Sequence, residues 1–135
     1  MKQYTVAILG ATGAVGTQML GVSADSIVMN VGSAAVGYGY EYVVSTLDRI
    51  KAAALSQDDK MLQMPIITPI ASETWNVKEA MATEEESPEW GNQEVRGVSM
   101  EIQTAAASLA SGSDAVILKH PQSVATISKM IQELM

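Results

Sequence analysis

The amino-acid sequence predicts an α/β fold with a parallel sheet built from four βα units. Three observations carry that prediction. Short apolar runs that suit strands alternate with longer stretches that carry a helical stripe. The strand candidates are short apolar runs closed by Gly or Pro turns, which suits strands buried in a parallel sheet. Hydrophobic residues make up 47% of the 135 and charged residues only 17%, a core-rich balance for a single domain spanning residues 1–135.

Residues 4–9 (Tyr-Thr-Val-Ala-Ile-Leu) form the first β-rich run, stopped by Gly10; they read as a strand and not as a secretory signal. Residues 14–20 fit a short helix ended by Gly21. Residues 26–30 are the second strand candidate, followed by a small-residue loop over 31–39. A helix over 41–55 carries Val43, Leu47, Ile50 and Ala54 on one stripe. Residues 64–68 form the third strand, with Pro65 among its first residues, where a ladder donor is least needed. The span 71–92 is long, polar and partly acidic, with a short helix around 76–81; loops of this length in a compact domain are usually functional or mobile. A helix over 93–111 follows, striped by Val95, Val98, Ile102, Ala106 and Leu109 and ended by Gly112. Residues 114–118 are the fourth strand. His120-Pro121 turns out of it into a helix over 122–134, striped by Val124, Ile127, Ile131 and Leu134. Alternation of this kind requires right-handed crossovers. Four units make half of a (β/α)₈ (TIM) barrel or a small open Rossmann-like sheet.

Composition removes several chemistries. The chain has no cysteine, which excludes disulfides, thiolate metal sites and a cysteine nucleophile. With one histidine, His120, a histidine-rich metal site is impossible. The net charge of −7 makes nucleic acid a poor partner. No apolar run approaches the roughly 20 residues that span a bilayer. The cytoplasm is the expected compartment.

Gly10, Gly13 and Gly16 follow a strand and open a helix, where backbone N–H groups can hold a pyrophosphate. The stretch 4–19 resembles the N-terminal nucleotide loop of aspartate-semialdehyde dehydrogenases, which implies NADP as a cofactor. Those enzymes have a cysteine nucleophile, which this chain lacks, and Asn30 stands where an acidic ribose partner is expected. The alternative for the three glycines is a tight strand-to-helix turn.

A different set of segments occupies the rest of the chain. Gly21-Val-Ser-Ala-Asp-Ser-Ile-Val-Met-Asn30 leads into Val36-Gly-Tyr-Gly-Tyr-Glu-Tyr42, then Asp48-Arg49 and Gln63-Met-Pro-Ile-Ile67. Trp75 with Lys78-Glu79, the run Glu84-Glu-Glu-Ser-Pro-Glu-Trp-Gly-Asn-Gln-Glu-Val-Arg-Gly97, and Gly112, Asp114 and His120-Pro121 complete the series. In this order residues 20–135 resemble the C-terminal part of the small subunit of the corrinoid iron–sulfur protein, the delta subunit of the acetyl-CoA decarbonylase/synthase complex. The resemblance implies a (β/α)₈ barrel subunit that is itself non-catalytic. It implies a partner large subunit carrying a cobamide and an iron–sulfur cluster. It also implies methyl transfer between a methyltransferase and acetyl-CoA synthase in the reductive acetyl-CoA pathway. Only the last three or so βα units match, so the chain reads as a truncated or chimeric form, with a homodimer as one way to complete the barrel and a chain without function of its own as a further alternative.

Asn30, Thr68, Lys119 and His120 lie at or just after predicted strand ends, where ligand sites of α/β proteins gather. They are the candidates to face the cobamide; ordinary cap and turn chemistry is the alternative for each. Tyr38, Tyr40, Glu41 and Tyr42 cluster at a helix start and suit either an interface or loop packing. Trp75 and Trp90 suit partner contact or pinning of the long loop. Glu84, Glu85 and Glu86 read as a solvated charge run, and Glu94 with Arg96 and Lys78 with Glu79 are candidates for interface ion pairs, of little energy where exposed.

Overall fold

A computed structural model of the chain describes residues 26–135. Its elements are α1 (Tyr40–Ser56), a 3₁₀ turn (Lys60–Leu62), β1 (Ile67–Pro69), α2 (Ile70–Thr74), α3 (Lys78–Met81), a second 3₁₀ turn (Pro88–Trp90), α4 (Gln93–Ala110), β2 (Ala115–Ile117) and α5 (Pro121–Leu134). The strand and helix expected over 4–20, and with them Gly10, Gly13 and Gly16, lie outside the described residues.

β1 and β2 pair in parallel, with Ile67 opposite Ala115, Thr68 opposite Val116 and Pro69 opposite Ile117. The expected second strand is reduced to one parallel bridge, Met29 to Ile66. Two backbone bonds make it, from Met29 N–H to the Pro65 carbonyl and from Ile67 N–H to the Met29 carbonyl, each 2.8 Å. Past Asn30 the chain leaves the sheet, because the Asn30 side chain accepts the Gly32 N–H at 3.0 Å and bends the backbone into a turn. The described residues therefore form a mixed helix-and-strand fold with a two-stranded parallel sheet, extended by one bridge in the sequential order Met29–β1–β2.

Side chains alternate across the strands. Ile66 and Thr68 point to the helix side and are fully buried. Val43 and Leu47 of α1 pack there on Ile66, with Met29 and Ile50 beside them. Ile70, Ala105 of α4 and Ile127 of α5 form a second cluster, joined by Val116 and Leu118. The opposite face carries Val28, Asn30, Ile67, Pro69, Ala115 and Ile117, of which Val28 and Ile117 are nearly half exposed.

The helices begin and end where the sequence indicates. Gly39, at φ +85°, precedes α1 in a left-handed conformation that a side chain would strain. Asn92 caps α4 by accepting the Val95 N–H. Pro121 opens α5, and His120 caps it through its ring. The long span 71–92 is more structured than its polarity suggests. α2, α3 and a 3₁₀ turn occupy it, and Arg96 fastens it: Nε donates to the Glu79 carbonyl at 2.9 Å, and the two terminal nitrogens donate to the Gly91 and Ala82 carbonyls.

The stripes of the last two long helices differ from the expectation. On α4 the buried positions are Gly97, Val98, Glu101, Thr104, Ala105 and Ser108, a face turned toward small and polar residues, and Val95 is exposed. On α5, Ile127 is buried but Val124, Ile131 and Leu134 are exposed. The exposed flank borders an open apolar groove of about 530 Å³ between β2 and α5, lined by Val116, Leu118, Val124, Ile127 and Ile131 among others.

Candidate functional site

The loops that leave the carboxyl ends of the parallel strands carry the polar and aromatic groups of interest. After β2 the chain turns at Lys119 and His120, and a buried carboxylate fixes that turn. Glu101 on α4 is fully buried. Its Oε1 accepts the Lys119 N–H at 2.7 Å and its Oε2 accepts the His120 N–H at 3.1 Å. A buried carboxylate requires such donors, and the positive amino end of α5 lies beside it.

His120 is engaged at both ring nitrogens. Nδ1 accepts the Gln122 N–H at 3.2 Å, and Nε2 lies 3.0 Å from Oε1 of Glu94. The first contact requires a bare Nδ1, so the ring proton sits on Nε2 and faces Glu94. The ring stacks on Trp75, with centroids 6.0 Å apart and planes 24° from parallel. The Lys119 ammonium stands 5.2 Å from the centre of the same Trp75 ring. Trp75 in turn presses on α4 at Gly97, where an added Cβ would lie 2.4 Å from a ring carbon. The glycine is what admits the indole.

Of the four strand-end candidates, the structure joins Lys119 and His120 in one cluster. Asn30 is partly buried and uses its side chain to turn the loop at Gly32. Thr68 faces the helices, is fully buried, and pairs its hydroxyl with that of Ser113 at 2.7 Å. Sequence reasoning missed Glu101 and the reason for Gly97. The available signals were a lone acid between Val98 and Ile102 on an apolar helix, and a glycine in a helix interior.

The second aromatic group holds the long loop. Lys78 and Arg96 flank Trp90, at 5.3 and 5.7 Å from the ring centre. Tyr38 donates its hydroxyl to Glu79, which raises the tyrosine pKa and lowers that of the glutamate. Tyr40 reaches the Ser108 hydroxyl at 3.3 Å, whereas Tyr42 is largely exposed. Within the acidic run, Glu86 accepts the Thr83 N–H at 3.0 Å and the Thr83 hydroxyl, and these bonds lower its pKa. Among the described residues no three metal-ligating side chains come together, and no helix is long and apolar enough to cross a membrane.

These features define an α/β protein with a parallel sheet whose strand-end loops are fastened to one helix. Comparison with known proteins is more specific. The model of the CO dehydrogenase/acetyl-CoA synthase delta subunit family matches residues 12–131, and the chain belongs to that family. The acetyl-CoA decarbonylase/synthase complex subunit delta of Methanosarcina mazei is 35% identical over 118 residues, 84% of this chain and 26% of the relative. Subunit delta 2 of Methanosarcina acetivorans gives the same figures. The Archaeoglobus fulgidus delta subunit is 34% identical over 113 residues, 82% of this chain and 25% of its own length. The chain thus spans about a quarter of the curated relatives it matches. The resemblance to aspartate-semialdehyde dehydrogenases finds no support here: the family match begins at residue 12 and runs through Gly13 and Gly16.

Proposed function

We propose that the chain is a non-catalytic scaffold piece of an acetyl-CoA decarbonylase/synthase-type complex. In this reading it belongs to a (β/α)₈ barrel and seats on a corrinoid-bearing large subunit in the cytoplasm, in reach of a methyltransferase and acetyl-CoA synthase. The family match over residues 12–131 is the observation that carries the reading. Three structural features support it. Met29, β1 and β2 follow one another in sequential parallel order, as consecutive barrel strands do. On the sheet face away from α1, Val28 and Ile117 are nearly half exposed among the described residues, whereas strands of a parallel sheet are normally covered on both faces. Further strands, or a second copy in a homodimer, would cover it.

The third feature is the chemistry of the strand-end cluster. Both ring nitrogens of His120 are already committed, so the residue suits contact with a cobamide and not ligation of its metal. Lys119 is exposed and cationic beside Trp75, a pair able to meet polar or anionic groups at the rim of such a cofactor. The cofactor itself would supply methyl-carrying chemistry; the chain supplies shape and polar contact.

Co-purification with the corrinoid-bearing large subunit of a relative's complex tests the proposal. Retention of the tagged chain on that subunit is the expected result, weakened when Lys119 and Trp75 are replaced by alanine. Absence of binding overturns it.

A further inference from the structure

We propose that His120 is a proton-operated cap: with a neutral ring it closes the amino end of α5, and as an imidazolium it releases that end. The inference concerns the chain alone and does not depend on any partner.

The chain contains one histidine and no cysteine. Histidine is the side chain whose charge ordinarily changes between about pH 5 and 8. His120 is the one such side chain in the sequence. Its position gives the response a target. Pro121, the first residue of α5, has no N–H, so the Gln122 N–H is the first free donor of the helix. His120 Nδ1 accepts it at 3.2 Å. A second ring proton has only Nδ1 to occupy. Once there, an N–H faces an N–H and the cap is lost. A positive charge at the amino end of a helix also opposes the helix dipole.

The surrounding charges set the balance. From α4, Glu94 and Glu101 both attract an imidazolium; Glu94 is in contact at 3.0 Å, and Glu101 holds the backbone N–H of the same residue. From the loop, Lys119 repels it. The residue after α2, Trp75, carries no charge. The Glu94 side chain is 72% exposed, so solvent weakens its pull and its contact does not lock the ring. The protonated ring keeps Glu94 and gives up Gln122. Glu101 accepts the Lys119 and His120 N–H groups in either state. The proton therefore moves the ring and the first turn of α5 without undoing the end of β2. Trp75, stacked on that ring, is displaced with it.

The test uses the full chain labelled with ¹⁵N. Proton titration from about pH 8 to pH 5 follows the imidazole C–H signals, the Gln122 amide, and its hydrogen exchange relative to the intrinsic rate. The Gln122 amide should titrate with the imidazole, and its protection should fall about five- to tenfold, as expected for loss of one cap. His120→Asn supplies a side-chain acceptor that does not titrate, and the amide should then hold still. Glu94→Gln removes a countercharge, and imidazole and amide midpoints should move down in pH together. A Gln122 amide indifferent to the imidazole titration overturns the proposal. So does the same pH response in His120→Asn, or a Glu94→Gln shift seen in the imidazole alone.

Discussion

Replacing Glu101 by glutamine should lower stability by about 2 kcal/mol, and the figure follows from what the carboxylate holds. Glu101 is fully buried, and each oxygen takes one backbone N–H, from Lys119 at 2.7 Å and from His120 at 3.1 Å. Glutamine has the same size but one oxygen and one NH₂ group. One of the two N–H groups keeps an acceptor; the other meets a donor. A hydrogen bond to a charged acceptor contributes about 1.5–3 kcal/mol, and a buried donor left without a partner costs about 1–3 kcal/mol. Against this stands the relief of no longer burying a charge. The two N–H groups and the amino end of α5 already compensate much of that charge, so the loss of the second acceptor wins. The assay is urea unfolding, where about 2 kcal/mol displaces the midpoint by roughly 1 M for a chain of this size. Hydrogen exchange at the Lys119 and His120 amides reads the same change locally. An E101Q protein within about 0.5 kcal/mol of the parent, with both amides still protected, would refute the view that this carboxylate fastens the turn after β2.

Three further outcomes are expected. Gly97→Ala gains about 1 kcal/mol in helix propensity, yet its Cβ would lie 2.4 Å from the Trp75 ring; a net loss of about 1–3 kcal/mol, with a shifted tryptophan emission, is the outcome in a melt followed by fluorescence. Arg96→Lys removes a fork that holds three carbonyls, so the span 79–91 should be cut several-fold faster in limited proteolysis, and an unchanged rate would remove Arg96 as its clamp. Tyr38→Phe tests a linked pair through the pH dependence of the unfolding midpoint. The Tyr38 pKa is raised by its bond to Glu79, so its contribution is present below the ordinary tyrosine range and is lost as pH rises through the raised value. The Glu79 pKa is lowered by the same bond, so its contribution is present above the ordinary carboxylate range and is lost as pH falls through the lowered value. The variant should flatten both limbs, and a profile unchanged at both ends would show that the pair adds nothing.

The parts of the fold governed by local rules were legible. Pro121 marks the start of α5, and the Val43–Leu47–Ala54 stripe marks the buried face of α1. Strand cores at Ile66–Thr68 and Val116 followed from short apolar runs. What stayed hidden depends on contacts distant in sequence. The second strand shrinks to Met29 because the Asn30 side chain diverts the backbone at Gly32, a turn that competes with the ladder. Thr68 reads as a strand-end polar group, but register places it opposite Val116 on the helix side, where its hydroxyl pairs with that of Ser113. The span 71–92 looks like open loop because its fastener, Arg96, lies beyond it on α4. In the site, His120 and Lys119 were visible from their place after a strand. Glu101 was not, since an acid on a long helix is ordinarily solvated and its burial depends on the N–H groups of residues 18 and 19 positions away.

The polar face of α4 then acquires a single explanation. A helix covering a parallel sheet would pack well with Leu, Ile or Val at every inward position, and α4 instead presents Gly97, Glu101, Thr104 and Ser108. Each meets a loop. Glu101 holds the turn after β2; Gly97 receives Trp75, just after β1 and α2. Thr104 donates its hydroxyl to the Met100 carbonyl at 2.8 Å, which leaves its oxygen free to accept the Val36 N–H from the loop after Met29. Ser108 does the same, donating to the Thr104 carbonyl and facing the Tyr40 hydroxyl. The segments that follow all three parallel strand positions are thus referred to one rigid helix. Apolar side chains would give as much cohesion but would not specify where each loop sits, because van der Waals contacts tolerate sliding that a hydrogen-bond direction does not. The scaffold role proposed above would need that specification more than the added stability.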